Sequence, residues 1–194
     1  MASNAPALDT PRSLVVCPLR RLGELVPVTG ARRVVSVLNA HLIPPTPAGI
    51  EPAHHLKLAM SEYVEVKPGE RHPALGQLEQ LIAFANAWLE SPDAEHPLLI
   101  HCFSGLNRST ASAYIIQCAL NPAVPATLIA LRLRVASETA APNRMMFALA
   151  DQLLGRKGDM VGAIEQIGFG QPAAEGRPFS VPALASHDEA GSAG

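Results

Sequence analysis

Two features of the chain predict an α/β fold. Its first half carries apolar runs of strand length, and its second half carries apolar residues at helical spacing. The period changes near Pro73, before the last of the strand-like runs. Such a pattern is satisfied by a short, central, mostly parallel sheet flanked by helices, followed by a helical C-terminal half. Residues 13–169 have the length of one domain. Residues 1–12 and 170–194 are rich in Ala, Pro, Gly and Ser without hydrophobic periodicity, and both are expected to be flexible tails.

The expected strands are Leu14–Pro18, Val34–Leu38, Leu56–Tyr63 and Leu98–His101. The third alternates, so Leu56, Leu58 and Met60 share one face. A Pro-rich loop, His41 to Pro52, separates the second strand from the third. From Pro73 the residues Leu75, Leu78, Leu81, Ile82, Ala85, Trp88 and Leu89 fall on one side of a helix that Pro92 stops. After Cys102 helices are expected over Arg108–Leu120, Pro122–Ala136 with Asn121 as its cap, Pro142–Leu154 closed by Gly155, and Asp159–Ile167 closed by Gly168.

Composition narrows the functional classes. Fifteen Lys+Arg stand against 17 Asp+Glu, a net charge of −2, which argues against a broad nucleic-acid-binding surface. With 48% hydrophobic and 16% charged residues the chain can bury a core, and with 4% aromatics that core is mainly aliphatic. Three cysteines are too few for a disulfide scaffold, so a reducing, cytoplasmic compartment is expected. The N-terminus lacks a basic region and a long enough apolar run to read as a signal peptide. Ser109–Leu131 is uncharged, but Asn121, Pro122 and Pro125 interrupt it, so it reads as two buried helices and no membrane contact is expected. The His and Cys spacings form no metal-ligand pattern, and no metal or cofactor is assigned.

One segment carries chemistry: Leu98-Leu99-Ile100-His101-Cys102-Phe103-Ser104-Gly105-Leu106-Asn107-Arg108-Ser109-Thr110. A strand runs into a cysteine, a glycine-containing loop follows, and an arginine opens a helix. The loop amides from Phe103 through Ser104, Gly105, Leu106 and Asn107 to Arg108 can curl around one anion. The helix N-terminus adds unpaired N–H groups and the positive end of its dipole. Arg108 offers a planar fork to two phosphoryl oxygens. Cys102, at the centre of this field, is favoured as a thiolate nucleophile towards phosphorus. Ser109 can donate to its sulfur and ease its departure, and His101 supports the loop from behind.

These residues resemble the signature of the protein tyrosine phosphatase superfamily, His-Cys-x-x-Gly-x-x-Arg-Ser/Thr, at His101, Cys102, Gly105, Arg108 and Ser109. Ala141-Pro142-Asn143 and the helix after it are similar to small bacterial members. The resemblance implies a compact phosphatase-like fold and a cysteine-dependent phosphomonoesterase of tyrosine or dual specificity, acting on phosphorylated protein or a small aryl phosphate. It also implies a general acid, usually an Asp some thirty to forty residues before the cysteine. No Asp lies between Asp9 and Asp93, so the candidates are Glu62, Glu65 and Glu70. Glu62, at the end of the third expected strand, is the choice, since such ends face the site in open α/β sheets. Asn143 occupies a place where the superfamily often orders the hydrolytic water, although a helix cap is the simpler role. Phe103, Ser104, Leu106 and Asn107 are not basic, which counts against highly charged inositol phosphates. Tyr63 is a candidate wall for an aromatic phosphate. Two alternatives remain: a phospho-ligand binding module with little turnover, since the usual Asp is missing, and a sulfurtransferase of the rhodanese type.

Overall fold

Strands that read as unbroken apolar runs are buried on both faces, and the chain uses them that way. The structure, a computed structural model, describes residues 7–63, 68, 69 and 71–185. β1 (Ser13–Pro18), β2 (Arg33–Leu38), β3 (His55–Ala59) and β4 (Leu98–Cys102) are mutually parallel, and β5 (Phe179–Pro182) joins antiparallel, in the order β3-β2-β4-β1-β5. Alternate residues of β1 enter two cores. Leu14 and Val16 face one with Ile100, and Val15 and Cys17 face the other with Leu99.

The smaller core is closed by α1 (Leu22–Thr29), through Leu22, Leu25 and Val26. The larger one is covered by α2 (Leu75–Leu89), α3 (Arg108–Leu120), α4 (Ala126–Ala136), α5 (Arg144–Leu153) and α6 (Asp159–Ile167). α3 is buried at every position from Arg108 to Cys118, so it is the central helix, and the two helices expected within Ser109–Leu131 are α3 and the start of α4. Among the described residues no helix is long and apolar enough to cross a membrane.

Several boundaries differ from expectation. The third strand stops at Ala59, so Glu62 lies in the bend beyond it. α4 begins at Ala126, after Pro125 rather than after Asn121, because the Asn121 side chain is engaged with Ala183 O and the Ala185 N–H. α5 begins at Arg144, with Asn143 as its cap. α1 was not expected, since Pro27 within it disguises its period.

The largest correction concerns the C-terminal tail. Far from being loose, residues 179–182 form β5, with Val181 opposite Leu14 and Phe179 opposite Val16, and Phe179, Val181 and Ala183 are buried. On its way there the chain passes close to the cysteine loop. The Gly176 N–H donates to Ser104 O at 2.8 Å, and a Cβ on Gly176 would stand 2.9 Å from Gly105 O.

Candidate active site

The parallel strands β1 to β4 all end on one edge of the sheet, and the loops leaving those ends bring the candidate residues together. β4 ends at Cys102, and α3 begins six residues later at Arg108. Between them the chain turns back on β1. Leu19 N–H donates to Phe103 O at 3.1 Å, and Gly105 has φ +73°, where a Cβ would lie 2.7 Å from Pro18 N. Both the left-handed backbone and this contact exclude a side chain at Gly105. At the far end Thr110 Oγ1 donates to Leu106 O and Asn107 O, and Ala141 N–H donates to Leu106 O at 2.9 Å.

Cys102 Sγ and Ser109 Oγ, in the first turn of α3, are 3.1 Å apart, within hydrogen-bond distance. No side chain caps the N-terminus of α3, because Asn107 Oδ1 accepts instead from the Asn143 amide at 2.8 Å. The first-turn N–H groups of α3 are thus left for something other than a cap.

Arg108 is 1% exposed, an unusual state for a guanidinium. Its Nη1 donates to Asn39 Oδ1 at 2.7 Å and to Met60 O at 2.8 Å, so the ends of β2 and β3 hold the fork in place. Nη2 lies 3.5 Å from Glu62 Oε2. Among the described residues, Nε is buried without a hydrogen-bond partner. A buried charged donor left unpaired is costly, and an anion bound in the loop would remove that cost.

Glu62 therefore does reach the site, held there by its own backbone. The Asn143 amide donates to Glu62 O at 3.2 Å and to Asn107 Oδ1 at 2.8 Å, while Asn143 Oδ1 accepts from Met146 N–H. Asn143 is both the cap of α5 and the link between the Glu62 bend and the cysteine loop. Tyr63 is exposed. Glu65 and Glu70 lie outside the described residues.

Behind the loop, His101 Nε2 is 2.5 Å from Ser36 Oγ, which is 2.7 Å from His55 Nε2, and His55 Nδ1 is 3.0 Å from Thr46 Oγ1. Burial lowers His101 to about 4, the charge of His55 adding to it against a backbone contact with Cys102. Burial and then Lys57 lower His55 to about 4 as well. Both rings are neutral at pH 7, which suits a support and not an acid–base role for His101. Burial pushes the Cys17 thiol up, the nearby Cys102 adding to it, and burial pushes Cys118 up to about 12.

Sequence reasoning missed Asn39, the Met60 carbonyl, Ser36 and His55 as parts of this site. The only available signal was position: Asn39 and Met60 directly follow β2 and β3, where open α/β sheets gather their sites.

No family model and no curated protein matches the sequence. Solved structures do. DUSP15 matches with a TM-score of 0.61, 15% identity, and coverage of 88% of this chain and 100% of its own. The fold is that of the protein tyrosine and dual-specificity phosphatases. PTP-2 phosphatase of Cydia pomonella matches with a TM-score of 0.56 at 19% identity, over 75% of this chain and 90% of its own. Tk-PTP in its active form matches with a TM-score of 0.56 at 17% identity, over 80% and 99%. In this fold the Cys102 loop, the Arg108 side chain and the Glu62 bend meet at one end of the sheet.

Proposed function

We propose that the protein is a cysteine-dependent phosphomonoester hydrolase of tyrosine or dual specificity. The observation that carries this reading is the buried Arg108 guanidinium, fixed through Nη1 and, among the described residues, unpartnered at Nε, beside a cysteine paired with a serine. Cys102 Sγ attacks phosphorus, the P–O bond to the leaving group breaks, and its oxygen takes a proton from Glu62. Water then attacks the phosphoryl group, the S–P bond breaks, and the Ser109 hydroxyl donates to the departing thiolate while Glu62 accepts the proton of the water. Arg108 and the loop amides hold the equatorial oxygens in both steps.

The Glu62 carboxylate is ion-paired with Arg108, whereas a general acid must enter the reaction protonated. A phosphate dianion taking the same guanidinium would compete with the carboxyl for Arg108 and free it to face the leaving-group oxygen. The same ion pair favours a second reading, a phosphate-binding module with slow turnover, since a carboxylate kept on Arg108 is a poor proton donor.

Hydrolysis of an aryl phosphate series by wild type, Cys102→Ser and Glu62→Gln separates the two. The phosphatase reading expects Cys102→Ser to lose turnover while still binding vanadate or phosphate. It expects Glu62→Gln to slow poor leaving groups by roughly 10²-fold or more and good ones little. Turnover surviving in Cys102→Ser overturns the mechanism. An inert wild type that binds phosphopeptide establishes the binding module.

A further inference from the structure

A cleft of about 380 Å³ opens beside the phosphate loop, and four of its residues, Glu62, Asn107, Ala141 and Asn143, belong to the site already described. Its other walls are different in kind. Pro142 and Met145 at the start of α5, Phe147 beneath them, Ile164 near the end of α6, and Phe169 beyond it make the remainder largely apolar. Phe169 is fully exposed, an aromatic ring at the rim left without cover. A bulky apolar group entering the cleft would bury this surface, which favours its binding.

From these walls we propose that the cleft is a specificity subsite that takes a bulky apolar side chain of a phosphopeptide, adjacent to its phosphorylated residue. The inference rests on the phosphatase reading, which supplies the anchor: phosphate on Arg108 places the rest of the substrate at Glu62 and Asn107, the mouth of the cleft. Size and charge favour a peptide over a membrane lipid. The volume equals that of roughly a dozen waters, enough for one or two side chains. The charged lining is Glu62, Arg144 and Glu165; Arg144 Nη1 is ion-paired to Glu165 Oε1 at 2.6 Å and Glu62 to Arg108, so the lining holds no unpaired cation to attract an anionic bilayer. The loop residues Phe103, Ser104, Leu106 and Asn107 add no cation for a second phosphate.

The test compares phosphotyrosine peptides carrying Leu or Ser directly beside the phosphotyrosine, with 4-nitrophenyl phosphate as the small substrate. Wild type is expected to favour the Leu peptide by about tenfold or more in kcat/KM. Phe169→Ala and Met145→Gln are expected to bring that ratio towards one, while Val135→Ala, an exposed position on α4, leaves it unchanged. If 4-nitrophenyl phosphate and both peptides are hydrolysed but the ratio in wild type is already near one, the subsite is overturned and the phosphatase reading stands. If nothing is hydrolysed, the phosphatase reading fails, and fluorescence anisotropy of the same labelled peptides decides the cleft. A Leu preference that Phe169→Ala removes then supports it, and equal binding overturns it. Faster, Phe169-dependent hydrolysis of a phosphatidylinositol phosphate in vesicles than of either peptide overturns the peptide as occupant.

Discussion

Arg108 shows how much of a site can rest on one side chain. A lysine in its place has one ammonium and no planar fork, so it cannot reach Asn39 and Met60 while also presenting two donors to a phosphoryl group. Arg108→Lys is expected to lower kcat/KM on an aryl phosphate by roughly 10²–10³-fold. Steady-state kinetics that stay within threefold of wild type would remove Arg108 from the transition state. Gly105 is the backbone counterpart. Gly105→Ala meets both the φ of +73° and the 2.7 Å approach to Pro18 N, and is expected to cost about 2 kcal/mol or more in urea unfolding. An unchanged unfolding midpoint would mean that the loop is free to move off β1. The remaining cysteines, whose thiols burial holds in the neutral form, are inert by comparison.

At the scale of elements, β5 turns the C-terminal segment from appendage into sheet. Val181→Asp places a charge at a position 3% exposed opposite Leu14, and about 3 kcal/mol of destabilisation is expected, a fall in Tm of roughly 6–12 °C. A Tm unchanged by this substitution would show that β5 does not pair in solution. The same element marks where the sequence became unreadable. β5 is four residues long, with Pro178 before it and Pro182 at its end, so it has neither the length nor the period of a strand; its pairing with β1 lies more than 160 residues away. The Cys102 segment was legible as strand, loop and helix because the three are contiguous and each boundary is marked locally. Asn39 and Met60 were not, because their meaning depends on Arg108, 69 and 48 residues distant. Glu62 could be placed in the right region by counting back from the cysteine, but its partner could not, since an ion pair is not a periodic signal.

The whole molecule has a net charge of −2, and two of its buried titratable groups sit together behind the Cys102 loop. His55 and His101 are buried, both within hydrogen-bond distance of the single hydroxyl of Ser36, and both are lowered from 6.5 to about 4. Ser36 has one proton to give, so one ring accepts from it and the other donates to it; protonating both leaves two donors facing one oxygen. In the unfolded chain the two rings take up protons near pH 6.5, while in the folded protein they do so only near 4. Over that interval the unfolded state binds more protons, so stability is fully present above 6.5 and falls as the pH drops towards 4. Both rings act in the same sense across the interval, and the shared serine makes the two less than additive. Urea unfolding at pH 7.5, 6.0 and 5.0 is therefore expected to give a falling free energy at constant m value. His55→Asn is expected to flatten that slope, because it removes one of the two titrating groups while keeping a side chain able to pair with Ser36. A free energy that stays level from pH 7.5 to 5.0 would show that the buried histidines reach water and are not locked behind the loop.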